Sequence, residues 1–308
     1  METSRKKVLI WVSVAAGLLA VGWTGVNLYY RHNFGQGYLA IREVIRFYDN
    51  ALPALRASPP YDTLNSGEQG IRFTYQAADA PELVNLRVHL NLDSIAGNGD
   101  DISKIKNILR WAHRAIPHNG FRMPECELTS MGLYRYATEE GEGISCKHTS
   151  RLLSDCFLSI GFSSRAVTCS SMLEKDPDCH VVNAVWSPSR SKWVYVDASF
   201  GAYYTDLNGE MLSFSEIRSN YIEGREMLLV MDEYQNSVSE FGDGYYFDTY
   251  MPKGFYWFMC PADSRYYDES ADDSVDLKYN ALVPMGFEPY RKAEYVTNND
   301  RYFWQGPE

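Results

Sequence analysis

The chain has 308 residues, 45% of them hydrophobic and 22% charged, and its formal net charge is -11 at pH 7. This length suits one large domain with extensions or two small domains, and either arrangement can bury a substantial core. The acidic charge argues against a nucleic-acid partner, because the phosphate backbone binds to a basic face, and against a polybasic contact with anionic lipid.

The N-terminus has the pattern of an exported protein. Residues 8–28 are mostly apolar and carry no charge, and the basic residues 5–7 precede them. A helix of about 20 apolar residues spans the hydrocarbon core of a membrane, and its basic flank stays in the cytoplasm. We therefore predict a cytoplasmic tail at 1–7, a transmembrane anchor at 8–29 and an extracytoplasmic remainder, either periplasmic or at the cell surface. The alternative is a signal peptide cleaved near residues 20–22, which would release the protein.

Two helices are predicted in the next hundred residues. Apolar residues recur at helical spacing over 37–56, and two prolines close that segment. Asp101 is placed to cap a second helix, whose apolar face runs from Ile102 to Ile116. The stretch between the two helices is mixed, so residues 30–99 are predicted to form a helical and extended N-terminal region.

A third helix is predicted to begin at a cysteine. The glycine-rich segment 141–143 breaks the chain just before Cys146, apolar positions then mark one helical face as far as Ile160, and Gly161 follows as a natural stop. Three short runs of β type come next, at 165–169, 180–186 and 192–196. Helices followed by an antiparallel sheet predict an α+β fold.

The C-terminal part begins with another predicted helix, opened by a capping box from Ser213 to Glu216. The residues after it are rich in Tyr and Asp, and the acidic stretch 268–276 is predicted to be a solvated loop. We predict a core domain at 100–215 and a C-terminal extension at 216–308.

Three side chains on these elements predict a catalytic site. A nucleophilic cysteine reacts as the thiolate, which a helix N-terminus and a nearby histidine favour, and Cys146 opens a helix. His180 begins one predicted strand and Asp197 ends the next one, and in an antiparallel hairpin these two ends lie side by side. The spacing therefore predicts a Cys146, His180 and Asp197 triad, in which the carboxylate orients the imidazole base.

Three segments, in this order, resemble the core of the transglutaminase-like superfamily. They are Gly143-Ile144-Ser145-Cys146-Lys147-His148, His180-Val181-Val182-Asn183-Ala184-Val185-Trp186 and Lys192-Trp193-Val194-Tyr195-Val196-Asp197. Segments 92–97 and 111–116 are also similar to bacterial, exported members, and the resemblance covers roughly 85–215. It implies a papain-like core with Cys146 as nucleophile, His180 as general base and then acid, and Asp197 as the orienting carboxylate.

The sequence departs from the family pattern at two places. Family members often have Pro-Thr after the aspartate, whereas Ala198 and Ser199 follow here. Ser145 makes the approach from glycine to cysteine one residue longer than in the eukaryotic cross-linking enzymes. The resemblance also implies a second oxyanion donor upstream of the cysteine, for which Asn107, Trp111 and Asn119 are candidates.

Other histidines and cysteines have structural interpretations. His148 follows Cys146 by two residues, which turns it to another helical face, and His113 and His118 lie where they could cap a helix end. The chain has six cysteines, and Cys169 and Cys179 flank a short segment that would allow a disulfide. A zinc site at Cys169, Cys179 and His180 is disfavoured because no C-x-x-C pair is present.

The favoured function is cysteine-dependent acyl transfer on a peptide, protein or cell-envelope amide, without a cofactor. Hydrolysis is favoured over glutamine cross-linking, because no D-x-D-x-D-G calcium loop is present. The alternative is a non-catalytic peptide- or glycan-binding module, for which the aromatic runs 245–247 and 255–258 could supply a surface.

Overall fold

The computed structural model describes most of the chain after position 50 and little before it. The described residues are 22–25, 28, 48, 50–62, 70–120, 122–174, 176, 178–234, 243–265 and 278–307.

The chain divides into two compact units. The first comprises residues 1–50 and 175–177, and the second comprises residues 51–174 and 178–308. In the first unit residues 22–25 are helical, and the Tyr48 hydroxyl donates a hydrogen bond to the Asp176 carboxylate at 2.5 Å.

The predicted membrane anchor at 8–29 falls outside the described residues, apart from 22–25 and 28. Among the helices that the structure does describe, none combines the length and the apolar character needed to cross a bilayer.

In the described part of the second unit, six helices precede the sheet. They are α1 Ala51–Arg56, α2 Pro81–His89, α3 Leu92–Ala96, α4 Asp101–Ala115, α5 Ser130–Thr138 and α6 Cys146–Ser159. The cap of α4 differs from the prediction, since Asp100 accepts the hydrogen bond from the Ser103 N–H. Asp101 instead binds the turn after the second strand, through the hydroxyls of Ser187 and Ser189 at 2.6 Å each.

Strands and further helices alternate in the second half of the chain. They are β1 Ser164–Ser170, β2 His180–Ser187, β3 Lys192–Val196, β4 Tyr203–Thr205, α7 Phe214–Glu223, β5 Leu228–Val230, α8 Asp243–Tyr245, a π-helix at Tyr246–Tyr250, α9 Met251–Gly254, β6 Trp257–Pro261, β7 Tyr279–Leu282, β8 Tyr295–Thr297 and α10 Asp300–Phe303. The capping box that opens α7 is formed as predicted, with Ser213 and Glu216 bonding reciprocally.

The main sheet is larger than the three strands that the sequence predicts. Its strand order is β3-β2-β1-β6-β7-β8, and every neighbouring pair is antiparallel except β7 and β8, which are parallel. The α+β class is confirmed, with a sheet in which antiparallel pairing dominates. Three of its six strands, β6, β7 and β8, come from the region after residue 216. Strand β6 joins them to the earlier strands, because it pairs with β1 and places Thr168 opposite Met259.

Both faces of strands β2 and β3 are buried, and side chains alternate between them. On one face Val185, Val194 and Val196 pack with α4 and α6 in one apolar cluster. On the other face Val182 and Ala184 pack with aromatic residues of the C-terminal part. His180 lies on this second face, since it is two residues before Val182 on the same strand.

Four aromatic residues of the runs 245–247 and 255–258 are fully buried. Tyr246, Phe255, Trp257 and Phe258 each have 0% of their surface exposed, whereas Tyr245 and Phe247 are partly exposed. The four buried rings therefore offer no surface to a peptide or glycan.

Candidate active site

Cys146 is the first residue of α6, and Ser145 is the cap before it. The loop in front is held by the segment 117–119, because the Ile144 N–H donates to the Pro117 carbonyl at 3.0 Å. Gly143 makes this approach possible, since it has a φ of +68° and an added Cβ would meet the Pro117 oxygen at 3.1 Å. The glycine-rich break thus fixes the start of the helix and, with it, the position of the thiol.

His180 and Asp197 are joined directly. The His180 Nε2 atom lies 2.6 Å from the Asp197 Oδ2 atom, and both side chains are buried, at 4% and 0% exposure. The cause is the hairpin register, which pairs Asn183 with Val196 and so brings the start of β2 beside the residue after β3. With Nε2 engaged by the carboxylate, Nδ1 is the ring nitrogen left for the thiol.

The Asp197 carboxylate is held on both oxygens. Oδ1 accepts the backbone N–H groups of Ser199 and Phe200 at 2.9 and 3.3 Å, and Oδ2 also accepts the hydroxyl of Tyr246 at 2.7 Å. Burial alone would raise the pKa of Asp197, but the charge of His180 and these hydrogen bonds lower it below its ordinary value. The group therefore stays a carboxylate.

The His180 ring interacts with the acid and the thiol together. Burial alone would lower its pKa, but the Asp197 carboxylate and a hydrogen bond with the Cys146 side chain raise it well above the ordinary value for histidine. The structure therefore brings the three predicted residues together. It favours an imidazolium, positioned between a sulfur and a carboxylate.

Two aromatic rings fix the orientation of the imidazole. Phe200 and Tyr250 each pack edge-on against His180, with ring centroids at 5.5 and 5.4 Å. Phe200 also packs on Tyr246, with centroids 4.7 Å apart. These rings exclude water from the imidazole and carboxylate pair.

Tyr246 and Tyr250 are site residues that the sequence reasoning did not identify. Both belong to the π-helix at Tyr246–Tyr250, and single turns of this kind often occur at functional sites. The Tyr246 hydroxyl also pairs with the Tyr195 hydroxyl at 2.6 Å, and burial raises the pKa of both phenols well above the ordinary range. The one sequence signal was the tyrosine-rich composition of this region, which does not say which hydroxyl reaches the triad.

The three candidates for a second oxyanion donor are not equally placed. The Asn107 amide donates to the Ala96 carbonyl at 2.9 Å, and Trp111 stacks on Tyr134, so both side chains are engaged by residues other than Cys146. Asn119 lies next to the loop before Cys146, where its amide donates to the Glu142 carbonyl at 3.1 Å.

The remaining histidines have separate environments. His148 bonds through Nδ1 to the Ser145 hydroxyl at 2.8 Å, which suits a structural role at the helix start. His113 binds the carbonyls of Ala198 and Tyr234 rather than capping a helix. Burial and the positive charge of His180 lower the pKa of His118 to about 4, so this ring is neutral and close to the site.

All six cysteines lie in the described part of the chain and all are free thiols, so the predicted pair Cys169 and Cys179 is not formed. Cys179 instead lies against Cys146, and its carbonyl accepts a weak hydrogen bond from the Cys146 thiol at 4.0 Å. Among the described residues, no group of three or more His, Cys, Asp or Glu side chains has the arrangement to hold a metal ion.

A cavity of about 310 Å³ opens beside Cys146. It is bordered by α6, by strands β1, β2, β6 and β7, and by the extended segment 73–75. Neither His180 nor Asp197 borders it, so a molecule in the cavity would reach the site from the sulfur side.

Comparison with known proteins gives one informative match. A comparison with curated proteins found no significant similarity. One solved structure, of a proposed cysteine protease from Cytophaga hutchinsonii, has 12% identity and a TM-score of 0.30 and covers 50% of this chain. The alignment spans only 56% of that structure, and a likeness of this size supports no conclusion. Residues 89–198, which include Cys146, His180 and Asp197, match the model of the Transglutaminase-like superfamily. The similarity to this superfamily covers that segment, which is a little over a third of the chain.

Proposed function

We propose that this protein is a cysteine-dependent acyl-transfer enzyme that acts on amides. The observation that carries the proposal is the bond of 2.6 Å between His180 and Asp197, together with the contact between the same ring and the Cys146 side chain. In this proposal Cys146 is the nucleophile, His180 the base and Asp197 the orienting acid, which together make up a catalytic triad. The family match at 89–198 supports the same chemistry.

The first half of the reaction forms an acyl-enzyme. The Cys146 thiolate attacks the amide carbonyl carbon, and the carbonyl π-electrons move onto oxygen as the C–S bond forms. The His180 imidazolium then gives its Nδ1 proton to the amide nitrogen, the C–N bond breaks and an amine or ammonia leaves. Asp197 keeps the ring oriented throughout and stabilises its positive charge.

The second half regenerates the thiol. In hydrolysis, water attacks the thioester carbonyl while neutral His180 takes its proton, and the C–S bond breaks to give a carboxylic acid. The backbone N–H of Cys146 is our candidate for one oxyanion donor, since the first N–H groups of a helix have no partner within the helix. Of the three side-chain candidates, Asn119 is the one adjacent to this loop.

Hydrolysis of a peptide, protein or cell-envelope amide is our preferred version over glutamine cross-linking. Its support is the lack of a calcium-loop motif in the sequence and the apolar run near the N-terminus. We propose that residues 8–29 anchor the protein in a membrane with the catalytic unit outside the cytoplasm, or that a cleaved signal peptide releases it. Fractionation of cells expressing the full chain separates the two cases, because only the anchored form sediments with membranes.

The proposal is tested by activity on matched amides. The full chain is incubated with peptide amides and with glutamine peptides, with and without a primary amine, and products are identified by mass spectrometry. Wild type should release amine or ammonia, and Cys146→Ala should reduce that rate by at least about 10³-fold. Turnover that survives in Cys146→Ala would reject the proposal.

A further inference from the structure

The cavity beside Cys146 has the size of a binding site. Its volume of about 310 Å³ lies at the lower end of the range for small-molecule pockets. Cys146, Lys147 and Arg151 of α6 form one wall. Cys179, the residue before β2, also lines the cavity. A chemical group in this cavity therefore lies next to the sulfur that attacks the substrate.

The charges around the cavity are predominantly positive. Four bordering side chains are basic and one is acidic, namely Lys147, Arg151, Arg165, Arg291 and Asp263. Asp263 forms an ion pair with Arg265 at 2.6 Å, and Arg151 forms one with the buried Asp155 at 3.4 Å, so one anion and one cation of this lining are already paired. In a chain whose net charge is -11, this positive wall is opposite in sign to the protein as a whole.

Arg165 carries a buried charge in this wall. Only 4% of its surface is exposed, and its Nε donates to the Tyr75 hydroxyl at 2.5 Å. Its other nitrogens donate to the carbonyls of Phe303 and Gln305 at 2.9 and 3.3 Å. Every partner that the structure describes for this guanidinium is neutral. Because a buried cation is stabilised by a nearby anion, this wall would gain from an anionic ligand.

A positive charge also lies near the Cys146 thiol. The Arg291 guanidinium makes a hydrogen bond to the Cys179 thiol, which borders the same cavity. The carbonyl of Cys179 faces the Cys146 thiol at 4.0 Å. Arg291 and Lys147 are both half-buried, so they lie between the cavity and solvent at its reactive end.

We propose that this cavity binds a carboxylate of the substrate, so that the enzyme acts on amides next to an acidic side chain or a free chain terminus. The inference rests on the proposed function and names its substrate class. Apolar side chains complete the walls, among them Phe73, Val181 and Met259, and they suit the methylene groups that carry such a carboxylate.

The test uses two alkylating reagents that differ in charge. Iodoacetate and iodoacetamide both form an S–C bond with the thiolate and release iodide, but only iodoacetate carries a carboxylate. The ratio of their rates at Cys146 is measured by mass spectrometry of the derived peptide, in wild type and in Lys147→Gln and Arg291→Gln. Arg110→Gln is the control, because Arg110 is exposed and does not border this cavity.

Each of the two cavity variants should lower the iodoacetate to iodoacetamide ratio about 3- to 10-fold, the size expected for losing one nearby cation. The ratio in Arg110→Gln should change by less than about twofold, and added salt should lower the wild-type ratio. The thiol of Cys126, which also lies outside the cavity, gives an internal reference ratio. An unchanged ratio in both cavity variants would overturn the inference.

A substrate pair separates this inference from the proposed function. Peptide amides with Glu or Gln next to the cleaved bond are compared, and the Glu peptide should have a kcat/KM about 5- to 30-fold higher in wild type, with most of that preference lost in Arg291→Gln. Turnover without any preference for Glu rejects the inference and leaves the function standing. No turnover of either peptide, with the alkylation ratios as expected, rejects the function and leaves the anion site standing.

Discussion

Two regions of the molecule contribute to the site in different ways. Residues 89–198 match a protein family and supply the sulfur, the imidazole and the carboxylate. Residues 243–261 lie outside that match and supply the surroundings: Tyr246 bonds to the carboxylate and Tyr250 packs on the imidazole. The three predicted site residues thus lie in the segment that matches a family, whereas the aromatic side chains around them come from a part of the chain outside that match.

The second region also holds the strand that carries the imidazole. Lys253 is buried, and its ammonium donates to the carbonyl and the carboxylate of Asp178, at 2.9 and 3.2 Å. Asp178 lies two residues before His180. The C-terminal region therefore contacts this part of the site at two places. The Tyr250 ring packs on the His180 ring, and Lys253 binds Asp178 in the segment just before His180.

The largest expected effect lies within the motif region, at Asp197→Asn. The N–H groups of Ser199 and Phe200 require an acceptor, so the new amide oxygen will face them and the new NH₂ will face His180. That donor forces the ring proton onto Nδ1, which removes the base next to the thiol. We expect kcat to fall about 10²- to 10⁴-fold with the fold intact, as measured by steady-state kinetics.

The matched control for that variant is Asp93→Asn, which changes an exposed carboxylate paired with Arg87. Its kcat should be unchanged. An Asp197→Asn enzyme with wild-type kcat would mean that the carboxylate has no part in the reaction.

Tyr246→Phe tests the contribution of the C-terminal region. It removes one hydrogen bond to the buried carboxylate, and we expect a fall in kcat of about 10-fold with a shifted acidic limb of the pH profile. Tyr204→Phe is the control, because its hydroxyl pairs with Tyr221 at 2.8 Å in the same aromatic cluster without touching Asp197. Equal kcat values in the two variants would show that Tyr246 matters only for packing.

Two glycines test whether the loop before Cys146 must approach segment 117–119 closely. Both Gly141 and Gly143 have positive φ, but an added Cβ meets nothing within 4 Å at Gly141 and meets the Pro117 oxygen at 3.1 Å at Gly143. Each alanine variant should lose about 1 kcal/mol of unfolding free energy from backbone strain, and Gly143→Ala about 1 kcal/mol more. Urea denaturation measures the difference. Equal losses would mean that the close approach to segment 117–119 is not required.

The smallest expected effect is on the pH dependence of stability. The folded-state pKa of His180 is raised, so its contribution is full below the unfolded value and is lost as pH rises through the folded value. The folded-state pKa of Asp197 is lowered, so its contribution is present above the unfolded value and is lost as pH falls through the folded one.

The pair should therefore stabilise the protein most between these two limits. We expect the difference in unfolding free energy between wild type and His180→Gln to be larger at pH 6 than at pH 3, as measured by urea denaturation at each pH. If the difference in unfolding free energy between wild type and His180→Gln does not change with pH, the proposed coupling of His180 and Asp197 is contradicted.

The sequence predicts the motif region well for physical reasons. Strands of β type joined by a short turn have one natural register, which is why the proximity of His180 and Asp197 follows from their positions at strand ends. The helix start at Cys146 follows from local signals in the glycine-rich break. Such features depend on residues that are near each other in the chain.

The surroundings could not be predicted in the same way. Tyr246 reaches Asp197 across 49 positions, and β6 inserts beside β1 after a long excursion of the chain. No periodicity in a single sequence fixes such a pairing, because it depends on tertiary packing of aromatic side chains. For the same reason no sequence pattern indicates that Arg165, Lys147 and Arg291 border one cavity.

The most direct test of the central claim is the rate at which iodoacetamide alkylates Cys146 between pH 5 and 9, in wild type, in His180→Ala and in the control His89→Ala, whose ring is exposed on α2. We expect wild type and His89→Ala to stay reactive at pH 6, and His180→Ala to react at least about 10-fold more slowly there. Identical rates in all three proteins, rising only towards the pKa of about 8.5 of an ordinary thiol, would contradict it.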